Sequence, residues 1–460
     1  MITTVKDIIR QLDIMLYFNI ISFSVLSGSG TVVSPSLHDL DIIEELCKDM
    51  PPNQKPYNVM FMNSLYKRNI PLYAKDIKNP YDFESYQWLD MKRKKNIDIE
   101  VMASSIISCC SIIERLITNQ LQLENNQFIA FILFKTALHQ AKFIKKHLKI
   151  GDVYYCGEDV SLDAAKELHI QITSKKPNSI SQLYVLQAFT ALNRLNTYNL
   201  PFMQYNENEF NEDMSLLGPI YDIVLENIKE IKSRALTSIG LCITGIYVNC
   251  EAPSKTTYKV LDRIGTELQE RINENGEIAR TESDVEKSST GTLCNCLNLL
   301  SQLFYMFGDK AYYNACTKIY RRLDFTWNRE HCIFMLKDSN KQLFSIKDIS
   351  AIIAALLSFY CITEDSKLTK QIEEQIKGFY EKTLIKSKIF VNQVHPIIQQ
   401  NIMESFSSIE AAKDTAPVFN KSFEYKVSKA KFYYDADVFR ADYVLPSCCL
   451  LLNTINSYCI

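Results

Sequence analysis

Glycine and proline are scarce in this chain. Twelve Gly and 13 Pro among 460 residues are too few for a sandwich of many short strands, which needs frequent tight turns. Tryptophan occurs twice and histidine six times, so neither an indole-rich platform nor a histidine-rich centre is on offer. Charge of one sign is also missing. The 51 basic and 53 acidic side chains leave a net charge of −2, which argues against nucleic acid or a membrane surface as the global partner. No uninterrupted apolar stretch reaches the roughly 18–20 residues that span a bilayer. There is no GxGxxG, no Walker A loop, no GxSxG elbow and no HExxH helix.

Cysteine is present but dilute. Fourteen Cys are far below the density of a disulfide scaffold. Several sit inside apolar runs (Cys109, Cys110, Cys242, Cys361, Cys448, Cys449), where a thiol serves as a small hydrophobe. The adjacent pairs Cys109–Cys110 and Cys448–Cys449 suit a reducing compartment, so a cytoplasmic location is expected. Residues 14–26 are mostly apolar, but Asp7 and Asp13 stand where a secretion signal is basic, and Asn19 interrupts the run. A retained first helix is the expectation.

What the sequence has in abundance is helical periodicity. From residue 98 onward apolar positions recur every three or four residues, as in Leu216–Ile220–Ile223–Val224–Ile228 and Tyr258–Leu261–Ile264–Leu268–Ile272. One unit repeats within 284–384. Leu299–Tyr305, Gly308-Asp309 and a second stripe through Tyr312, Cys316, Ile319 and Leu323 superpose on Ala355–Tyr360, Glu364-Asp365 and a stripe through Leu368, Ile372 and Ile376. The offset is 56 residues. In each copy a helix apolar on all sides precedes one with a charged face. The first kind must be buried all round and the second only on one side, which describes an inner ring of helices inside an outer ring. About six such hairpins fill the chain.

The segments Ser289-Thr290-Gly291-Thr292-Leu293 through Arg322 and Lys347-Asp348-Ile349-Ser350-Ala351 through Tyr380 resemble hairpins of the α/α-toroid, or six-hairpin, superfamily. That group holds many glycoside hydrolases, sugar epimerases, lanthionine-synthetase-type cyclases and the helical barrels of terpene cyclases. The resemblance implies an all-α (α/α)6-type toroid over 98–460. Residues 1–97, with a first helix and a proline-containing irregular segment closed by Lys92-Arg93-Lys94-Lys95, would pack on it or close the ring. Residues 411–434 read as a second irregular crossover.

In such a toroid the loops entering the inner helices face a central funnel. Polar residues just before an apolar helix are therefore the candidates: Asp435 and Asp437 before the last helix, Glu282 and Asp284 before 290–307, and Asp348 before 349–362. Carboxylates gathered from different loops can divide acid and base roles, since like charges raise one another's pKa. Capping competes as an explanation, most strongly for Asp348. Asp435 and Asp437 lie too far ahead of a helix starting near Leu445, with Pro446 in its first turn, to be caps. Tyr433, Tyr434 and Trp327 are candidates for binding substrate by ring stacking. His331-Cys332 with Cys294 and Cys296 does not reproduce a zinc-ligand spacing, so no metal and no cofactor is expected. The readings that follow are a carboxylate-based enzyme acting on a saccharide or similar polar small molecule in the funnel, a non-catalytic helical scaffold, and a terpene-cyclase-like enzyme with an apolar funnel.

Overall fold

The computed structural model describes residues 4–26, 30–50, 55–56, 59–67, 95–121, 126–161, 167–174, 176–206, 208–250, 253–281, 289–335, 339–387, 389–393, 416–433 and 440–458. In chain order the helices are α1 (Val5–Ile20), α2 (Leu37–Leu46), α3 (Ile99–Ile117), α4 (Asn126–His147), α5 (Ser179–Leu195), α6 (Asn208–Asn211) and α7 (Leu217–Glu226). They continue with α8 (Ser233–Asn249), α9 (Lys255–Glu270), α10 (Thr290–Phe307), α11 (Lys310–Asp324), α12 (Ile346–Ile362), α13 (Ser366–Tyr380) and α14 (Ala441–Ser457).

The burial pattern sorts these helices into two rings. In α12 every residue from Ile349 to Phe359 is buried, and α3 is buried from Val101 to Ile113. By contrast α11 buries one stripe, Tyr312, Ala315, Cys316, Ile319, Tyr320 and Leu323, and α13 another through Ile372, Ile376 and Phe379. The buried helices pack in a closed cycle, α3 on α5, α5 on α8, α8 on α10, α10 on α12, α12 on α14 and α14 back on α3. Outside them lie α4 on α3, α6 and α7 on α5, α9 on α8, α11 on α10, α13 on α12 and α1 on α14. The fold is an all-α toroid of six hairpins, as the repeat implies.

Small residues let the inner helices approach. A Cβ at Gly240 of α8 would lie 2.4 Å from Leu299 Cδ2 of α10, so a larger residue there would push the two helices apart. One buried polar network in the ring is paired across three helices. Asn298 of α10 donates to Thr454 of α14 at 3.1 Å, and its carbonyl accepts from Gln302 at 2.8 Å and from Ser358 of α12 at 2.6 Å. A network that satisfies its members pins three neighbouring helices in one register.

The sixth hairpin is made from the two ends of the chain. Helix α1 starts at a capping box between Thr4 and Asp7, and its apolar face is covered by α14, α13 and α3. Asp13, buried in α1, is paired with Arg115 of α3, and Arg115 also donates to Asn456 of α14 at 3.2 Å. Val5–Val25 is long and apolar enough to cross a bilayer, yet 94% of its apolar window is buried inside the protein. The apolar run 14–26 is thus explained by packing.

The two segments expected to be irregular crossovers, 27–97 and 411–434, both contain regular strands. Lys341–Ser345, Ser422–Lys426 and Lys431–Tyr433 form a three-stranded antiparallel sheet, and Phe390–Gln393 pairs with Ala416–Phe419. Phe423 and Tyr425 are buried while their neighbours are not, a period of two that a search for helical stripes passes over. Within 27–97, α2 and the pair Val32–Val33 with Phe61–Met62 are regular. Finally, α14 begins at Ala441 rather than near Leu445, so Pro446 lies inside it. That proline cannot donate to the Asp442 carbonyl.

Candidate functional site

Since all six inner helices run the same way, their first turns meet at one face of the toroid. There they surround a cavity of about 340 Å³. Each helix supplies a side chain near its start: Glu100 from α3, Tyr184 from α5, Ser238 from α8, Asn295 from α10, Lys347 from α12 and Asp442 from α14. Six N-termini pointing at one space make its potential positive and favour carboxylates within it. The floor is Leu241, Leu450 and Asn453, which also roof a second void of about 30 Å³ between the C-terminal halves of the helices. The axis of the toroid is therefore closed at mid-depth.

The acids in the cavity are not equivalent. Asp98 caps α3 by accepting from the Glu100 N–H at 3.0 Å, and its other oxygen lies 3.0 Å from Lys67 Nζ. Asp442 receives Arg440 in a bidentate pair at 2.8 and 2.5 Å, with Lys67 Nζ at 3.9 Å. Both carboxylates are thus neutralised in place. Glu100 is half-buried and accepts only a neutral hydroxyl, Ser181 Oγ at 2.7 Å, among the hydrogen bonds of the described residues. Burial raises its pKa, Ser181 opposes this, and the Asp98 charge adds to the rise. Of the three, Glu100 is the one without an ion-pair partner among the described residues.

The remaining lining groups are polar or inert. Asn295 Oδ1 finds no hydrogen-bond partner among the described residues. Lys347 stands at the mouth, open to solvent on one side and crowded on the other, and that crowding lowers its pKa against the pull of Asp442. Cys242 and Cys449 are buried, which pushes the Cys449 thiol up to about 12 and that of Cys242 well above its ordinary range. They are not nucleophiles at neutral pH. Among the described residues no cluster of three or more His, Cys, Asp or Glu forms a metal-sized site.

The residues singled out from sequence fall as follows. Glu282, Asp284, Tyr434, Asp435 and Asp437 lie outside the described residues. Asp348 closes the capping box of α12: its carboxylate accepts from the Ser345 N–H at 2.9 Å and hydroxyl at 2.6 Å, and its own N–H donates to Ser345 Oγ at 3.2 Å; it is exposed and does not line the cavity. Tyr433 is exposed, with Lys426 Nζ 4.5 Å from its ring centre. Trp327 packs on Phe334 at 4.7 Å and near Gly378 of the outer helix α13. Neither ring lines the cavity.

Asp98, Glu100 and Lys67 were not anticipated. Asp98-Ile99-Glu100 obeys the same rule as the other candidates, acids at the start of an apolar helix, and the rule applied to α3 would have found them. Lys67 carries no such signal. It reaches the site from the crossover that precedes α3.

No family model and no curated protein matches this sequence. Solved structures do match the fold. A D-mannose isomerase superposes with a TM-score of 0.52 at 11% identity, covering 91% of this chain and 98% of its own. A cellobiose 2-epimerase from Bacillus thermoamylovorans B4167 gives 0.54 at 8% identity over 90% and 99%, and a sugar epimerase from a ruminal bacterium 0.51 at 10% over 90% and 98%. At such identities the likeness establishes the α/α-toroid class and carries no residue roles.

Proposed function

We propose that this protein is an enzyme that processes a saccharide in the mouth of the toroid, transferring protons through carboxylates. The observation that carries the reading is Glu100. Its pKa is raised by burial, and it stands beside two carboxylates paired with Lys67 and Arg440, at the cavity where all six inner helices begin. A neutral carboxylic acid gives a proton to a glycosidic or carbonyl oxygen and takes it back, and an ionised neighbour accepts the complementary proton or steadies positive charge. The volume suits a mono- or disaccharide-sized ligand. The sugar isomerase and epimerases that share the fold agree with this class. Glu282, Asp284, Asp435 and Asp437 precede the inner helices α10 and α14 in sequence and remain candidates for the rim of the same site.

A panel of aldoses, ketoses and disaccharides, mannose and cellobiose included, tests the reading, with proton NMR following new anomeric signals. Turnover of at least one member is expected. Glu100→Gln should lower it at least 100-fold, the span that a positioned acid contributes being roughly 10²–10⁴, with the melting midpoint unchanged. Binding without any turnover would favour the scaffold reading, which the ion-paired states of Asp98 and Asp442 also allow. Full turnover in the variant would remove Glu100 from the chemistry.

A further inference from the structure

Three cations converge on one aromatic ring at the mouth of the cavity. Lys347 Nζ lies 4.7 Å from the centre of the Tyr443 ring, the Arg440 guanidinium 5.0 Å and Lys421 Nζ 5.2 Å. The fold builds this arrangement deliberately. Ser345 pairs with Ser422 across the sheet, and the Lys421 carbonyl accepts from the Ile346 N–H at 2.9 Å. Lys421 is thereby fastened to the first residue of α12, whose second residue is Lys347. Tyr443 and Arg440 come from the start of α14, the neighbouring inner helix.

Among the described residues the charges around the ring are not cancelled in contact, although Asp442, Glu100 and Asp98 attract Lys347 from further off. Arg440 is spent on Asp442, and Lys67 on Asp98. Glu100, the remaining acid of the cavity, is turned toward Ser181. Among the described residues neither Lys347 nor Lys421 has a carboxylate in ion-pair contact, and both rest on the π-face of Tyr443. Two like charges that share one ring repel each other, and the first turns of α12 and α14 add positive potential to the same spot. Lys347 also lines the cavity, so the surplus charge borders the ligand space itself.

We propose that the saccharide taken by this funnel carries an acidic group, a carboxylate or a phosphate ester, which sits between the Lys347 and Lys421 ammonium groups at the mouth while the sugar ring lies below it toward Glu100. This rests on the saccharide reading given above and narrows its substrate class. Burial lowers the Lys347 pKa, and an anion beside it would relieve that penalty, adding to the gain from charge-assisted hydrogen bonds. A neutral sugar offers either lysine only uncharged hydroxyl acceptors, which bind an ammonium more weakly.

Calorimetric titration of matched pairs decides the matter: glucose against glucuronate, and glucose against glucose 6-phosphate, with acetate and inorganic phosphate alone as controls. The wild-type protein, Lys347→Gln, Lys421→Gln and the double variant are compared, each checked by circular dichroism and melting. The acidic member of at least one pair should bind about tenfold tighter or better than its neutral counterpart, and more so at 0.05 M than at 0.3 M salt. The acid-to-neutral ratio should fall several-fold in each single variant and approach one in the double. Whether glucuronate or glucose 6-phosphate shows the preference identifies the anion. Equal binding of acid and neutral sugars by the wild type would overturn the inference and leave the saccharide reading standing. A preference that survives in the double variant would overturn it too, as would inorganic phosphate binding as tightly as the sugar phosphate, or no binding by any member. A lysine-dependent preference without turnover would sustain the anion site and count against the enzyme.

Discussion

The surroundings of His139 on α4 oppose its protonation. Its ring stacks on Phe61 with centroids 5.4 Å apart and planes 16° apart, and burial, followed by the nearby Lys135, pushes its pKa down to about 4, Asp39 opposing. The unfolded chain takes up this proton near the ordinary 6.5, the folded chain only near 4. Between those values the unfolded state holds more protons, so stability rises with pH through that window and is flat above it. Comparing melting midpoints of wild type and His139→Gln from pH 4 to 7.5 should show the gap between them shrinking toward pH 4, by on the order of 1–2 kcal/mol given the partial solvent contact of the ring. A gap that does not change with pH would mean that the histidine titrates alike in the folded and unfolded states.

At the scale of the element, the turns of the repeat are the informative feature. Asp309 and Asp365, one repeat apart, both turn out to be N-caps. Asp309 accepts from the Ala311 N–H at 2.8 Å, and Asp365 from Lys367 at 2.8 Å and Leu368 at 3.2 Å. Each removes orphan donors from the start of an outer helix. Asp309→Ala and Asp365→Ala should each cost about 1 kcal/mol in urea unfolding, and the two losses should add, as the caps share no partner. Effects below a few tenths would show that water serves these N–H groups as well. The repeat placed both acids at matching turns, and a cap depends only on residues two or three apart. The start of α14 was not legible, since Pro446 reads locally as a helix beginning, whereas packing of Val444 and Leu445 into the ring carries the helix through it.

The whole molecule is held by a closure between its ends. Helix α1 buries Ile8, Leu12, Leu16, Phe18 and Ile20 completely, each worth about 1.5–3 kcal/mol, which together rivals the typical total stability of a domain. Removing residues 1–26 should therefore abolish a cooperative melt and expose dye-binding apolar surface on α14 and α13, while the intact chain melts in one transition. A truncated chain that still melts sharply would show the ring to be stable while open. Proteolysis of the intact chain should release no pair of stable halves near residue 250, where α8 and α9 remain packed in the ring.

Helix positions, the division into buried and amphipathic helices and hence the toroid were determined by the sequence alone, because each depends on side chains three or four residues apart on the same element. The site was decided by the tertiary structure. Glu100 belongs with Lys347 and Asp442 only because α3 meets α12 and α14 across a closed ring. Lys67 meets Asp98 from 31 residues away, and Arg115 meets Asn456 across 341. No local pattern encodes such distances; they follow from which faces of the helices can be buried at once.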